Sequence, residues 1–160
     1  MIHPTADVQT DKIGEGTTIW QFCVILPQAV IGKECNINCH TFIENQVILG
    51  DRVTLKSGVY LWNGITIEDD VFIGPNATFV NDNYPRSKQF LEKSQCTVIK
   101  QGVSIGAGAI ILGGITIGEY SLIAAGAVVT KDIPAYALVK GNPGRISGSV
   151  DKAGAIVERF

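Results

Sequence analysis

Leu49-Gly50-Asp51-Arg52-Val53-Thr54-Leu55-Lys56-Ser57-Gly58-Val59-Tyr60-Leu61 carries a large apolar residue at every sixth position. The same phase runs back through Ile43, Ile37, Ile31, Ile25 and Ile19 to Ile13, and forward through Ile67 and Ile73 to Phe79. It restarts at Ile99 and continues through Ile105, Ile111, Ile117 and Ile123 to Val129. Because 46% of the chain is apolar, filling all of these slots by chance has a probability of about one in a million.

The fourth residue after each anchor is small or β-branched in most repeats, as in Thr17, Cys23, Ala29, Cys35, Val53, Val59, Ala77, Val103 and Ala109. Such side chains suit a pleated wall that turns tightly. The residue after the anchor is often glycine (Gly14, Gly32, Gly50, Gly74, Gly106, Gly118), which permits either close backbone approach or positive φ at a corner. A period of six fits neither an amphipathic helix nor a hairpin meander. It fits short strands that turn a corner every six residues, three to a coil, with each coil stacked on the next. Ile2 to Lys12 supply a partial coil with a five-residue side between Val8 and Ile13. The expected organisation is a parallel β-helix over residues 1–134 with an inserted loop at 80–98, followed by a C-terminal tail or cap at 135–160.

Composition narrows the function. The formal net charge of −2 lacks the basic face of a general nucleic-acid binder. The N-terminus has neither a basic nor an apolar leader segment, and no apolar run approaches membrane-spanning length. A soluble cytoplasmic protein is expected. Cys23, Cys35, Cys39 and Cys96 show no zinc-ligand spacing. Cys23 and Cys35 fall in core slots, where a thiol acts as a small hydrophobe.

The repeat breaks once. Twenty residues separate Phe79 from Ile99, two more than a coil uses, and they include Asn81-Asp82-Asn83-Tyr84-Pro85-Arg86-Ser87. A loop of this length in a compact domain is usually functional, and its dense polar cluster with aromatics reads as a binding loop.

The hexads resemble those of the left-handed β-helix acyltransferases, and the handedness expected here is taken from that resemblance, since the general crossover rule favours the opposite hand. The run Leu61-Trp62-Asn63-Gly64-Ile65-Thr66-Ile67-Glu68-Asp69-Asp70-Val71-Phe72-Ile73-Gly74-Pro75-Asn76-Ala77-Thr78-Phe79, leading into Asn81 to Ser87, is narrower. It resembles the sugar-nucleotide N-acetyltransferases that act on dTDP-3-amino-3,6-dideoxyhexoses and, more distantly, those acting on UDP-linked 3-amino uronic acids. The similarity extends from His3-Pro4 to Gly141-Asn142-Pro143-Gly144-Arg145-Ile146.

That resemblance implies acyl transfer from acetyl-CoA or another acyl-CoA to a nucleotide-linked amino sugar, in a homotrimer with sites between subunits and no metal. It places Asn81 against the sugar amine and Asp82 against the hexose. Asn63 departs from the family pattern, where an acidic residue is common, and an amide accepts no proton. His40 is the rival base, because an imidazole is poised near neutral pH. Trp62 and Tyr84 are candidates for packing on a base or sugar ring, and Glu44 and Arg86 complete the candidate substrate contacts. Small coil-edge residues, Ala107-Gly108, Gly113-Gly114 and Ala124-Ala125-Gly126-Ala127, would pair with a pantetheine arm as an added strand does. Lys131, Lys140 and Arg145 would meet the phosphates of coenzyme A.

Competing classes are weaker. A zinc carbonic anhydrase on this architecture needs three histidine ligands, and only His3 and His40 exist. A nucleotidyltransferase would need a further domain. A non-catalytic scaffold has no reason to interrupt its hexads with a polar loop.

Overall fold

Two residues of each hexad form a strand, the second of them being the apolar anchor: Thr18–Ile19, Val24–Ile25 and Val30–Ile31 are the first full set. A computed structural model describes residues 1–160. Strands repeat in three parallel walls, and the chain visits them in rotation. The first wall contains seven strands, from Asp7–Val8 to Val128–Val129. The second contains five, from Val30–Ile31 to Thr116–Ile117, and the third nine, beginning at Thr18–Ile19. No helix is present, and the architecture is the all-β, left-handed parallel β-helix of about seven turns.

Register follows directly from the period. Ile25 lies beside Ile43, Ile43 beside Leu61, and Ile37 beside Leu55, each eighteen residues apart. In each wall one step is longer: Ile67 pairs with Ile99, Ile73 with Ile105 and Phe79 with Ile111. The insert therefore does not replace a coil. It occupies a single corner, where the strand Thr78–Phe79 of the first wall hands over to Thr97–Ile99 of the second. A hexad step would have used six residues there, so the break is fourteen residues of excursion rather than the two suggested by counting coils.

Both repeated positions point inward. Anchors such as Ile37, Leu55, Ile73 and Ile105 and fourth residues such as Cys23, Val53, Val59 and Val103 are fully buried in one continuous core of 33 residues. Each buried Ile or Leu contributes about 1.5–3 kcal/mol of transfer free energy. That core fills the helix, so any ligand must bind outside it, on a wall or a corner. Burial pushes the Cys23 and Cys35 thiols up from their ordinary value, which keeps both protonated and unreactive.

The corner glycines serve close approach. A Cβ at Gly32 would strike the carbonyl of Gly50 in the next coil. Positive φ falls instead three residues after the anchor, where side chains such as His40 (φ 58°) and Asn76 (φ 55°) accept the left-handed conformation.

Beyond Ile133 the chain prolongs the third wall. Ala137–Lys140 pairs parallel to Leu122–Ile123, and then Arg145–Val150 and Ile156–Arg159 fold back antiparallel. Leu138 and Val150 are buried by this addition.

Candidate active site

The corner between the first and second walls repeats an asparagine two residues after the anchor: Asn45, Asn63 and Asn81. The first two have the same structural use. Asn45 Oδ1 accepts the Gln28 backbone N–H at 3.2 Å, and Asn63 Oδ1 accepts that of Gln46 at 2.9 Å. Each amide thus satisfies a donor in the coil below it. Asn81 stands at the third such position, but there the chain leaves the coil, and its carboxamide faces a recess of about 270 Å³. Glu44, Asn63, Asn81 and Asp82 line that recess, and Gln89, Phe90, Leu91 and Ser94 close its far side.

The recess holds two carboxylates, each with one oxygen engaged. Glu44 Oε2 accepts the Asn63 N–H at 2.6 Å, and Asp82 Oδ1 accepts the Tyr84 N–H at 2.9 Å, closing a tight turn. The remaining oxygens are free to receive an ammonium or an amine N–H. Asn63 has its carbonyl committed to Gln46, so its NH₂ is the part left to donate.

Hydrogen bonds fix the two flanks of the loop and one point within it. The Trp62 indole N–H donates to the Phe79 carbonyl at 2.9 Å. Asn83 makes two bonds to Gly113: its Nδ2 donates to the glycine carbonyl at 3.0 Å, and its Oδ1 accepts the glycine N–H at 2.8 Å. Gly114 donates to Thr97 Oγ1 at 3.0 Å. These bonds correct the expectation that Gly113-Gly114 offers a free backbone edge to pantetheine, because Gly113 already serves the loop and the Gly114 N–H the strand after it.

His40 lies elsewhere in the single chain. It occupies the corner between the third and first walls, stacked on Phe22 with ring centroids 5.2 Å apart. With Phe42, Tyr60 and Trp62 it lines an aromatic groove of about 330 Å³. The structure therefore does not bring His40 to Asn81 and Asp82 within one chain. Trp62 faces this groove, its ring 5.5 Å from Phe42 and 6.2 Å from Tyr60, so it does not line the polar recess. Tyr84 is 86% exposed, and Arg86 Nη1 donates to the neighbouring Pro85 carbonyl. Neither lines the recess in one chain.

The corner that carries His40 continues upward through Gly58, Asn76, Gly108 and Gly126. A Cβ at Gly108 or Gly126 would meet nothing within 4 Å, so Ala107, Gly108 and Ala125 lie along an open corner edge. Lys140 and Arg145 face each other across an antiparallel pair at its upper end, where Val128 N–H donates to the Gly141 carbonyl. Lys131 is separated from them, on the corner of Asn45 and Asn63. Sequence reasoning missed Asn83, the Phe22–Phe42–Tyr60 aromatic groove and the loop residues Gln89, Phe90, Leu91 and Ser94. The stacking of Asn45 and Asn63 was available from their eighteen-residue spacing.

Similarity to known proteins agrees with this geometry. The bacterial transferase hexapeptide (six repeats) family matches residues 12–45 and 96–131, and the hexapeptide repeat of succinyl-transferase matches 64–80. The dTDP-3-amino-3,6-dideoxy-alpha-D-galactopyranose 3-N-acetyltransferase of Aneurinibacillus thermoaerophilus is 56% identical over 149 residues, covering 93% of this chain and 78% of that protein. A hexapeptide-repeat acetyltransferase from Vibrio cholerae, solved with acetyl coenzyme A, superposes with a TM-score of 0.61 at 29% identity, over 86% of this chain and 72% of that one. An N-acyltransferase from Bacillus cereus, solved with dTDP and coenzyme A, shares the fold at a TM-score of 0.64 and 20% identity, over 95% and 81% of the two chains. A hexad core, a loop set on one corner and 56% identity across nearly the whole chain lead to one assignment: the chain belongs to the hexapeptide-repeat acetyltransferases.

Proposed function

We propose that the protein moves an acetyl group from acetyl-coenzyme A to the 3-amino group of a dTDP-linked 3-amino-3,6-dideoxyhexose. The observation that carries this reading is the likeness to the Aneurinibacillus thermoaerophilus enzyme, which spans the inserted loop as well as the hexads. The recess fits the acceptor's chemistry. An amino sugar brings a cationic or neutral amine amid hydroxyl groups, and Glu44, Asp82, Asn63 and Asn81 offer carboxylate oxygens and amide groups to both.

In the reaction the amine nitrogen bonds to the thioester carbon, the carbon–sulfur bond breaks, and the amine gives up a proton. A thioester is already activated, so holding the amine about 3–3.5 Å from the carbonyl supplies much of the rate. In this reading Asn81 orients the amine and Asp82 holds the hexose. The proton leaves through Asp82, solvent or the departing thiolate. The smooth edge at Ala107, Gly108 and Ala125 suits a pantetheine arm, and the paired cations Lys140 and Arg145 suit its phosphates; Lys131 would meet them only from another direction.

The assembly proposed is a cytoplasmic homotrimer. No helix is long and apolar enough to cross a membrane. His40, Trp62, Tyr84 and Arg86 do not line the recess of their own chain, and a cyclic neighbour is the means by which they would reach substrate. Light scattering of an active sample should report three chains; a monomer mass at micromolar concentration would rule the trimer out. For the activity, purified protein with acetyl-CoA is assayed against dTDP-, UDP- and GDP-linked amino sugars, with free thiol as the readout. Turnover of the dTDP-linked 3-amino sugars should be fastest. Faster turnover of a UDP- or GDP-linked sugar would overturn the nucleotide assignment.

A further inference from the structure

Between Asn81 and Gln95 the loop has few hydrogen bonds to the coils. Its other side-chain bonds are local: Tyr84 to Asp82 and Arg86 to Pro85, while Gln89 N–H donates to the Arg86 carbonyl. Its large apolar side chains do not anchor it, since Phe90 is 91% exposed, Tyr84 is exposed and Leu91 is half-exposed. In this stretch only Asn83 makes hydrogen bonds that reach the coils, and it makes two, to both backbone polar groups of Gly113. A Cβ there would collide with Gln95 Oε1 and crowd the Val80 carbonyl at 2.9 Å.

We infer that Asn83 is a positioning residue: its paired bonds to Gly113 hold the loop so that Asn81 and Asp82 face Glu44 and Asn63. The inference rests on the acetyltransferase reading of that recess. The carboxamide pairs donor to acceptor and acceptor to donor with the C=O and N–H of one residue, so the two bonds fix orientation as well as distance. Asp82 and Asn81 stand one and two residues away, and displacing a reacting group by about 1 Å costs about a hundredfold in rate. Asn83 itself does not line the recess, so its effect would pass through its neighbours.

The test compares Asn83→Ala and Asn83→Asp with wild type by steady-state kinetics and by trypsin cleavage of the folded protein after Arg86, Lys88 and Lys93. Asn83→Ala should lower kcat/KM for the amino-sugar nucleotide about ten- to a hundredfold. It should leave the KM for acetyl-CoA within about twofold, because the edge proposed for that substrate is on another corner, and it should speed cleavage in the loop. Asn83→Asp keeps the acceptor but sets a carboxylate oxygen against the Gly113 carbonyl, so it should impair the enzyme and loosen the loop at least as much as Asn83→Ala. Unchanged cleavage would show that Asn83 does not hold the loop. Faster cleavage with wild-type kinetics would show a tether that positions nothing, and either result overturns the inference. A wild-type protein inactive on every nucleotide-linked amino sugar would instead overturn the reading on which the inference rests, while the cleavage rates would still report on the tether.

Discussion

Asn63 and Asn81 are the same residue type at the same place in successive coils, and they meet different fates. Asn63 spends its carbonyl on the Gln46 N–H of the coil below. Asn81, one coil later, stands where the chain departs, and its amide faces the recess. The repeating coils and the start of the inserted loop differ in this respect. In the coils, regular stacking occupies backbone and side-chain groups alike, as when Asp51 and Asp69 accept the N–H groups of Lys33 and Asp51 at a second corner. Where the register breaks, polar groups are released from stacking and become available to a ligand.

The largest expected effect tests the coil side of that contrast. Ile67→Ala removes a fully buried anchor and should cost about 2–5 kcal/mol of stability. Phe90→Ala, on the exposed loop, should change stability by less than about 0.5 kcal/mol. Denaturant unfolding of the two variants measures both. Comparable losses would mean that the loop is packed as the coils are.

The loop side of the contrast is tested by activity. Asn81→Ala and Asp82→Asn should lower kcat/KM about ten- to a thousandfold, the range for lost positioning or proton transfer. Their melting temperatures should match wild type, since neither side chain enters the hexad core. Wild-type kinetics in both variants would remove this loop from the active site.

The same contrast explains what could be read without coordinates. The wall positions of Ile37, Val53 and Ile105 follow from a period of six, since each repeat can bury an anchor only by stacking on its neighbour. Gathering Glu44 and Asn63 at one corner was implicit in that register, and the Asn81-Asp82 pair stood out as polar residues at the break. The staple from Asn83 to Gly113 was not legible. It joins residues thirty positions apart across an irregular segment, and no periodicity encodes such a contact. Counting Phe79 to Ile99 as nearly a full coil failed for a related reason: length alone does not say which wall the chain rejoins. The direction of Trp62 was also hidden, because its N–H is held by the Phe79 carbonyl and its ring turns to the aromatic groove.

A smaller effect is expected at His40. Its φ of 58° is one that asparagine tolerates well, so His40→Asn tests the imidazole without rebuilding the corner. Turnover should stay within about tenfold of wild type, because a positioned general base contributes about a hundredfold or more. A loss beyond that, together with disappearance of an inflection near neutral pH in the rate profile, would make His40 the base and place it at a neighbouring chain's recess.

The smallest effect belongs to Asn63→Asp. A carboxylate can still accept the Gln46 N–H, so the stacking bond that fixes this side chain survives the change. What changes is the group left to the recess, an acceptor in place of a donor, next to Glu44 and Asp82. If catalysis depends on holding the amine rather than on a base at this position, kcat should change by less than tenfold, under about 1.4 kcal/mol. The pH profile should respond more clearly than the rate. A third carboxylate in the recess makes ionisation of the set harder, so the acidic limb should move to higher pH, since like charges raise the pKa of one partner. A kcat more than about tenfold above wild type would show that a base at this position accelerates the chemistry, and that asparagine here holds the rate down.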